Sequence, residues 1–522
     1  MKAKKVLALL LAVIMVVALV ACGGGNNGGN TPTPGGEDQT TEEKTCVIYC
    51  PNPLETMNPY MVIGYPSGHV LNAIYEPMLW VKEDGTLEPC LAESWEVSDD
   101  ALEYTFHLVK NATFHDGTPV TAEDVKFTYE WAPQFASGKK PTAMVDHVEV
   151  IDEYTVKIVC AYIDPIFMEY VSTMKIMPKD YIENKASDPE MKMEENGSGP
   201  YKLTETDGTA HAYLEANEDH RNGAPDIKKI EFRYVSESSS ASVAFENGEI
   251  TVLEAPIAQG KILADSGKFN YQLVAMKHTA IIALNCQKAP FDNKLVRQAL
   301  TLAMNKDDII TVAYDGMAIP ARIQANPASC WGVDFSKAPD MSYNPERAKE
   351  LLAEAGYPDG LDLTAMGITF KTIAGGYHEK VAQVYQQQLK EIGVNVEIVA
   401  TETPDEDCVA GDFVIMNEGL SFRTDFAFNK NQYTSAGFGG SNFNWFSDPW
   451  LDQAYEEANQ MTNPEERAEA YKDIIAFIVD ACPGIPYMHR QGIYLFQKDL
   501  VVPTFYSSNG SSYRPWEWSW AN

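Results

Sequence analysis

His115-Asp116-Gly117 sets an imidazole beside a carboxylate, the pairing that a general base and its orienting acid require. The same residues are a turn signal, because Asp-Gly between apolar stretches supplies positive φ, and the turn is the reading taken. Gly437-Phe438-Gly439-Gly440-Ser441 is glycine-rich but lacks the lysine of a phosphate loop, so it too reads as a turn. The chain contains no HExxH, no GxxxxGK[ST] and no GxSxG. Its nine histidines have no ligand spacing. No catalytic residue, metal or cofactor is expected, and an enzyme is not the reading. Trp516-Glu517-Trp518-Ser519-Trp520 alternates with period two and predicts a strand with three indoles on one face. Such a strand either closes the core or offers a stacking platform to a sugar or aromatic ligand.

Nine cysteines could carry chemistry of their own. Cys46 and Cys50 flank Val-Ile-Tyr, a strand-like run that separates them by ~13 Å at ~3.3 Å per residue. A disulfide needs Cα atoms within roughly 7 Å. With no CxxC and no zinc spacing, residues 46, 50, 90, 160, 286, 330, 408 and 482 are expected to be scattered, buried thiols.

The elements that must hold any site are partly readable. Glu103–Val109, the hairpin-like pair VDHVEVI and YTVKIVC, Ile230–Val235 and Val394–Ala400 read as strands. Asn344-Pro345, Asp448-Pro449 and Asn463-Pro464 each place a capping side chain before a proline at the first helical position. Asp292 is the expected cap of NKLVRQALTLAM, and KVAQVYQQQLKEIG reads as a further helix stopped by Gly393. Helices that lead into strands argue for α/β layers. Strand signals at both ends suggest that the chain leaves a domain and later returns to it.

The start of the chain reads as an export signal. MKAKK is basic, Val6–Ala21 is a 16-residue apolar run, and Leu19-Val20-Ala21-Cys22 fits a lipobox. The run is short of the roughly 20 residues that cross a bilayer. Cleavage before Cys22, a lipid on its sulfur and a flexible, nearly apolar-free linker over 22–45 are expected, leaving the body tethered outside the cytoplasm. That body, 46–522, is too long for one core, so two or three domains are expected. The net charge of −34 argues against nucleic acid, which needs a basic face.

Ala73–Glu130 (AIYEPMLWVKEDGTLEPCLAESWEVSDDALEYTFHLVKNATFHDGTPVTAEDVKFTYE) resembles the signature region of the family 5 extracellular solute-binding proteins, the peptide/nickel-binding lipoproteins of ABC importers. Gly197-Ser198-Gly199-Pro200-Tyr201, LNCQKAPFDNKLVRQALTLAMNKDDII, YNPERAKELLAEAGYPDG and QQQLKEIGVNVEI follow in the family's order. The resemblance implies an α/β fold of the periplasmic-binding-protein type II, two lobes hinged around a cleft with an extra inserted domain. It places domain I at 46–78, 200–282 and 488–522, domain II at 79–199 and domain III at 283–487. It implies a monomer that captures a peptide and delivers it to an ABC permease and ATPase complex. Oligosaccharides, metal chelates and other solutes remain open on the same scaffold, as do a sensory or chaperone-like receptor and an exported hydrolase.

The resemblance also implies where a ligand would sit. Peptide-binding members hold the ligand backbone as an added strand and meet its α-amino group with a carboxylate in domain III. The matching stretch here is Gly419–Phe428, in which Asp425-Phe426 stands for the usual Asp-Tyr, Leu420 replaces the usual tryptophan and Arg423 is added. A buried Asp425 needs a cationic partner, either a ligand amine or Arg423. Asn442, Phe443 and Trp445, and Tyr60 in domain I, are further cleft-lining candidates.

Overall fold

The computed structural model describes residues 44–61, 65–82, 86–505 and 513–521. Cys22, the leader and the linker to residue 43 lie outside the described residues. Among the described residues, no helix is long and apolar enough to cross a membrane.

One mixed sheet of 11 strands organises the body. Its order runs Glu397–Thr401, Thr369–Ile373, Ile415–Ser421, Asn270–Leu284, Gly484–Phe496, Val252–Ala255, Thr45–Cys50, Lys229–Tyr234, His211–Ala216, Tyr201–Thr206, with Ala318–Pro320 paired to Gly484–Phe496. The first strand of the body thus lies two places from one that begins more than 400 residues later, so the chain does return to its starting layer. A separate antiparallel sheet, Ala92–Val97, Glu103–Leu108, Thr155–Cys160, Val145–Asp152, is formed inside residues 79–199 and pairs only with itself.

Two strands are much longer than the rest. Asn270–Leu284 has 15 residues and Gly484–Phe496 has 13, so each spans ~40–50 Å at ~3.3 Å per residue. Gly484–Phe496 pairs Asn270–Leu284 along one edge. Its other edge meets Ala318–Pro320 through Met488–Arg490 and Val252–Ala255 through Ile493–Phe496. Ala275 faces Gln491 and Thr279 faces His489, so Met276, Lys277 and His278 bulge opposite the single residue Arg490. A bulge bends its strand and re-aims side chains. Arg490 is the one exposed residue of an otherwise buried or half-buried central strand. The expected domain limits at 282/283 and 487/488 fall inside these two continuous strands.

The proline-led helices begin where the caps predict. Asn344 Oδ1 accepts from Arg347 N, Asp448 from Trp450 N and Asn463 from Glu465 N, starting Pro345–Glu354, Pro449–Asn459 and Pro464–Ala481. The cap of Lys294–Leu302 is Asn293, which accepts from Leu295 N, rather than Asp292. The tail also differs from its pattern: Pro515–Glu517 is a 3-10 turn and only Ser519–Trp520 is a strand. The proline at residue 515 favours the turn, so the period of two is lost. Trp518 enters the core, Trp516 meets Trp80 and Trp520 lies under the Lys44 ammonium. All eight cysteines of the described residues are buried free thiols.

Candidate functional site

The bulge opens into a cavity of ≈ 930 Å³ between the two halves of the sheet. Met276–His278 and Arg490 form its floor, Tyr49 and Glu254–Pro256 one wall, and Ser421–Arg423 with Phe428 the other. A smaller cavity of ≈ 260 Å³ lies around Lys306 and Tyr433 and does not touch the Met276–His278 bulge. The larger one is lined by residues from 49–69, 238–278, 421–428 and 490–513, and its size suits a small organic ligand.

The strand Ile415–Ser421 reaches this cavity at its last residue, Ser421, and keeps one edge open. Asn270–Leu284 pairs it along its whole length, whereas Thr369–Ile373 pairs only Ile415 and Met416. The outer edge of Asn417–Ser421 has no strand partner among the described residues. Asn417 is held rigidly: its Oδ1 accepts from Tyr487 Oη at 3.0 Å and its Nδ2 donates to the His378 carbonyl at 3.1 Å. Gly419 lets the His278 ring lie against the strand, since a Cβ there would sit 2.4 Å from His278 Cε1.

The electrostatics of the cavity differ from those of the chain. Lys277, Arg423 and Arg490 line it, against the single carboxyl of Glu254. Burial pushes that carboxyl up, and the Arg490 charge and the Tyr494 hydroxyl pull it back only in part. Burial, then Arg490 and His378, lower His278 to about 4, so its imidazole is neutral near pH 7. The ring of Phe428 carries two cations, with Lys140 Nζ 4.6 Å and the Arg423 guanidinium 5.5 Å from its centroid. Glu169, from Phe167–Thr173 in the 79–199 segment, accepts from Thr424 N at 3.0 Å and ties that segment to the same loop.

Of the residues expected at the ligand, Arg423 lines the cavity and the others do not. Asp425 is paired with Arg467 at 3.1 Å, both side chains being about one-seventh exposed. Its other oxygen accepts from Ala427 N at 2.9 Å and caps the 3-10 turn Phe426–Asn429. Burial pushes Asp425 up to about 6, with Arg467 opposing. The cation paired with this carboxyl is Arg467, not Arg423. Sequence distance hid Arg467, which arrives from a helix 42 residues later. Asn442 is consumed by the carbonyls of Thr434 and Phe446, at 2.8 and 2.7 Å. Phe443 packs with Ile281, Cys408 and Met416. Trp445 donates Nε1 to the Cys408 carbonyl at 2.9 Å and stacks on Phe438. Tyr60 is 3% exposed, donates to the Lys175 carbonyl at 2.6 Å and meets Trp131 edge-on. His115 is bound on both nitrogens, to Glu195 and the Gly199 carbonyl, and Gly117 has φ 86°, so HDG is a turn. Lys277, His278 and Arg490 escaped the sequence reading, and their one signal is charge inside long, largely apolar strands.

Residues 86–459 match the family described as bacterial extracellular solute-binding proteins, family 5 Middle. The chain belongs to this family. The family 5 proteins are substrate-binding proteins that work with ABC permeases outside the cytoplasm, and they are not enzymes. The chain is similar to heme-binding protein A of Haemophilus influenzae, with 29% identity over 80% of this chain and 82% of that protein. It is similar to the oligopeptide-binding protein AppA of Bacillus subtilis, with 28% identity over 80% of this chain and 81% of that one. Among solved structures, that of HbpA2 from Haemophilus parasuis superposes with a TM-score of 0.82 at 23% identity, covering 91% of this chain and 100% of the other. The family 5 fold is therefore the type II periplasmic-binding-protein fold, two lobes around a cleft with an inserted domain.

Proposed function

We propose that this family 5 protein captures a short peptide in the ≈ 930 Å³ cavity and passes it to a membrane permease. The observation that carries the reading is the open edge of Asn417–Ser421, which meets that cavity at Ser421. A peptide added to this edge would gain main-chain hydrogen bonds that are indifferent to its side chains. The oligopeptide-binding relative supports the same ligand class.

The chain acts as a monomer in this reading, tethered by a lipid on Cys22. The lobes turn about the bulge at Met276–His278 and about Gly492, which faces Val274 on the paired long strand. Domain I then comprises 46–78, 200–282 and 488–522, domain II 79–199 and domain III 283–487, with the mechanical crossover a few residues from the 282 and 488 limits. Ligand closes the lobes because it binds the closed state better.

Thermal unfolding in the presence of short peptides, oligosaccharides and metal chelates tests the ligand class. A bound solute at 100 times its Kd adds ~2.7 kcal/mol of stability. Peptides are expected to raise Tm. A shift with saccharides or chelates and none with peptides would refute the peptide reading. For the anchor, mass spectrometry of the membrane-extracted chain should find a diacylglyceryl group on Cys22, and an unmodified N-terminus would refute it.

A further inference from the structure

We propose that the ≈ 260 Å³ cavity beside Lys306 is a second ligand site, taking a small aliphatic carboxylic acid with its carboxylate on the Lys306 ammonium and the Gln324 amide. It shares no lining residue with the ≈ 930 Å³ cavity, so it goes beyond the peptide reading and stands or falls apart from it.

The first argument is a cation without an anion. Lys306 begins the helix Lys306–Tyr314 and lines the cavity. An ammonium has three donors, and the protein acceptor it meets here is the Ala321 carbonyl at 2.5 Å. The groups whose charge bears on it are the Cys482 thiol and the Arg322 guanidinium, and neither is a carboxylate. Asp307 also lines the cavity, but it is exposed and is not one of those groups. The carbonyls of Ala481 and Cys482, which end the neighbouring helix, are engaged by Arg297. Burial lowers Lys306 to about 8, with Arg322 adding to it and the Cys482 thiol opposing, as expected of a charge lacking a counter-ion.

The second argument is an amide without partners. Gln324 is 1% exposed and lines the same cavity. Its backbone is spent: the N–H donates to the Tyr433 hydroxyl at 2.9 Å and the carbonyl accepts from Asn429 Nδ2 at 2.8 Å. Its side chain is not. Oε1 is buried with no hydrogen-bond partner, and Nε2 makes no hydrogen bond among the described residues. A buried amide left unpaired is costly, and its NH2 offers a carboxylate a donor beside the ammonium. Arg322 is not counted as a ligand, since it donates to the Pro339 carbonyl and covers the Phe335 ring.

The third argument is the wall. Met304, Met341, Ile478, Val479 and Pro486 make one side of the cavity apolar. Such a wall favours an anion with a hydrocarbon body over a hydrated inorganic one. The volume falls below the ~300–1,000 Å³ of sites for drug-sized ligands, so that body has only a handful of carbon atoms.

The test uses the mature protein carrying [methyl-13C]methionine, titrated with 4-methylpentanoate, its neutral amide 4-methylpentanamide and trialanine. Calorimetry should show the acid binding about tenfold or more tighter than the amide, because the carboxylate makes charge-assisted hydrogen bonds. The acid should shift the methyl signals of Met304 and Met341 and leave that of Met276, which lines the larger cavity, in place. Lys306→Met should abolish the preference for the acid, and Gln324→Leu should reduce it. The methyl shifts need no variant, so they decide the matter even if both substitutions prevent folding. Equal binding of acid and amide, or no binding of either, would overturn the proposal. An acid that shifts Met276 instead would also overturn it, by placing the acid in the larger cavity. Trialanine reports separately: a shift of Met276 supports the peptide reading, and its absence counts against that reading alone.

Discussion

Arg467 is the side chain on which the Asp425 loop depends. Its guanidinium pairs Asp425 at 3.1 Å and lies 4.7 Å above the Trp331 ring, and Trp331 in turn bonds the backbone on both sides of Asp425. Arg467→Met would leave a buried carboxyl unpaired and should cost about 3 kcal/mol in urea unfolding. Asp425→Asn should leave solute affinity unchanged, since the residue caps a turn outside the cavity; a large loss of affinity would return Asp425 to the ligand. His489 offers a pH test. Burial holds it near 3, with a ring nitrogen 2.9 Å from the Thr279 hydroxyl. A histidine lowered on folding contributes stability that is present above its unfolded pKa and is lost as pH falls through it. Wild type should therefore lose about 1.4 kcal/mol per pH unit relative to His489→Gln from pH ~6.5 down to ~4. A constant difference between the two proteins across that window would contradict the burial argument.

At the level of elements, local rules were legible and long-range ones were not. Asn344, Asp448 and Asn463 announce their helices because a cap and a following proline act within one turn. The WEWSW tail misled because period two says nothing when a proline has already turned the backbone. The open edge of Ile415–Ser421 could not be read at all. It exists because Thr369–Ile373 pairs only the first two residues, a fact of register between segments 45 residues apart. Gly419 is the element's weak point. Gly419→Ala would drive the His278 ring out of its seat and into the cavity, as the 2.4 Å approach requires. The expected result is an affinity loss of about tenfold or more, with a smaller change in Tm. A Tm loss with unchanged affinity would mean that the edge is structural only.

Across the whole molecule, the family was readable from dense motifs, which the match over residues 86–459 bears out, and the return of the chain to its first layer is visible in the sheet order. The candidate site was not, apart from Arg423. Asn442, Phe443 and Trp445 lie near the right strands in sequence but spend their polar atoms and rings on internal packing. The cavity is made instead at the bulge between two long paired strands, from residues such as Lys277 and Arg490 that are more than 200 positions apart. No local pattern encodes that meeting. Solute is expected to bind at this bulge. Hydrogen exchange of the mature protein, with and without a saturating short peptide, tests it most directly. Slowed exchange confined to Val274–His278, Asn417–Arg423 and His489–Gly492 is the predicted result. Protection centred on Asn442–Trp445 or on the ≈ 260 Å³ cavity around Lys306, with these three segments unchanged, would contradict it.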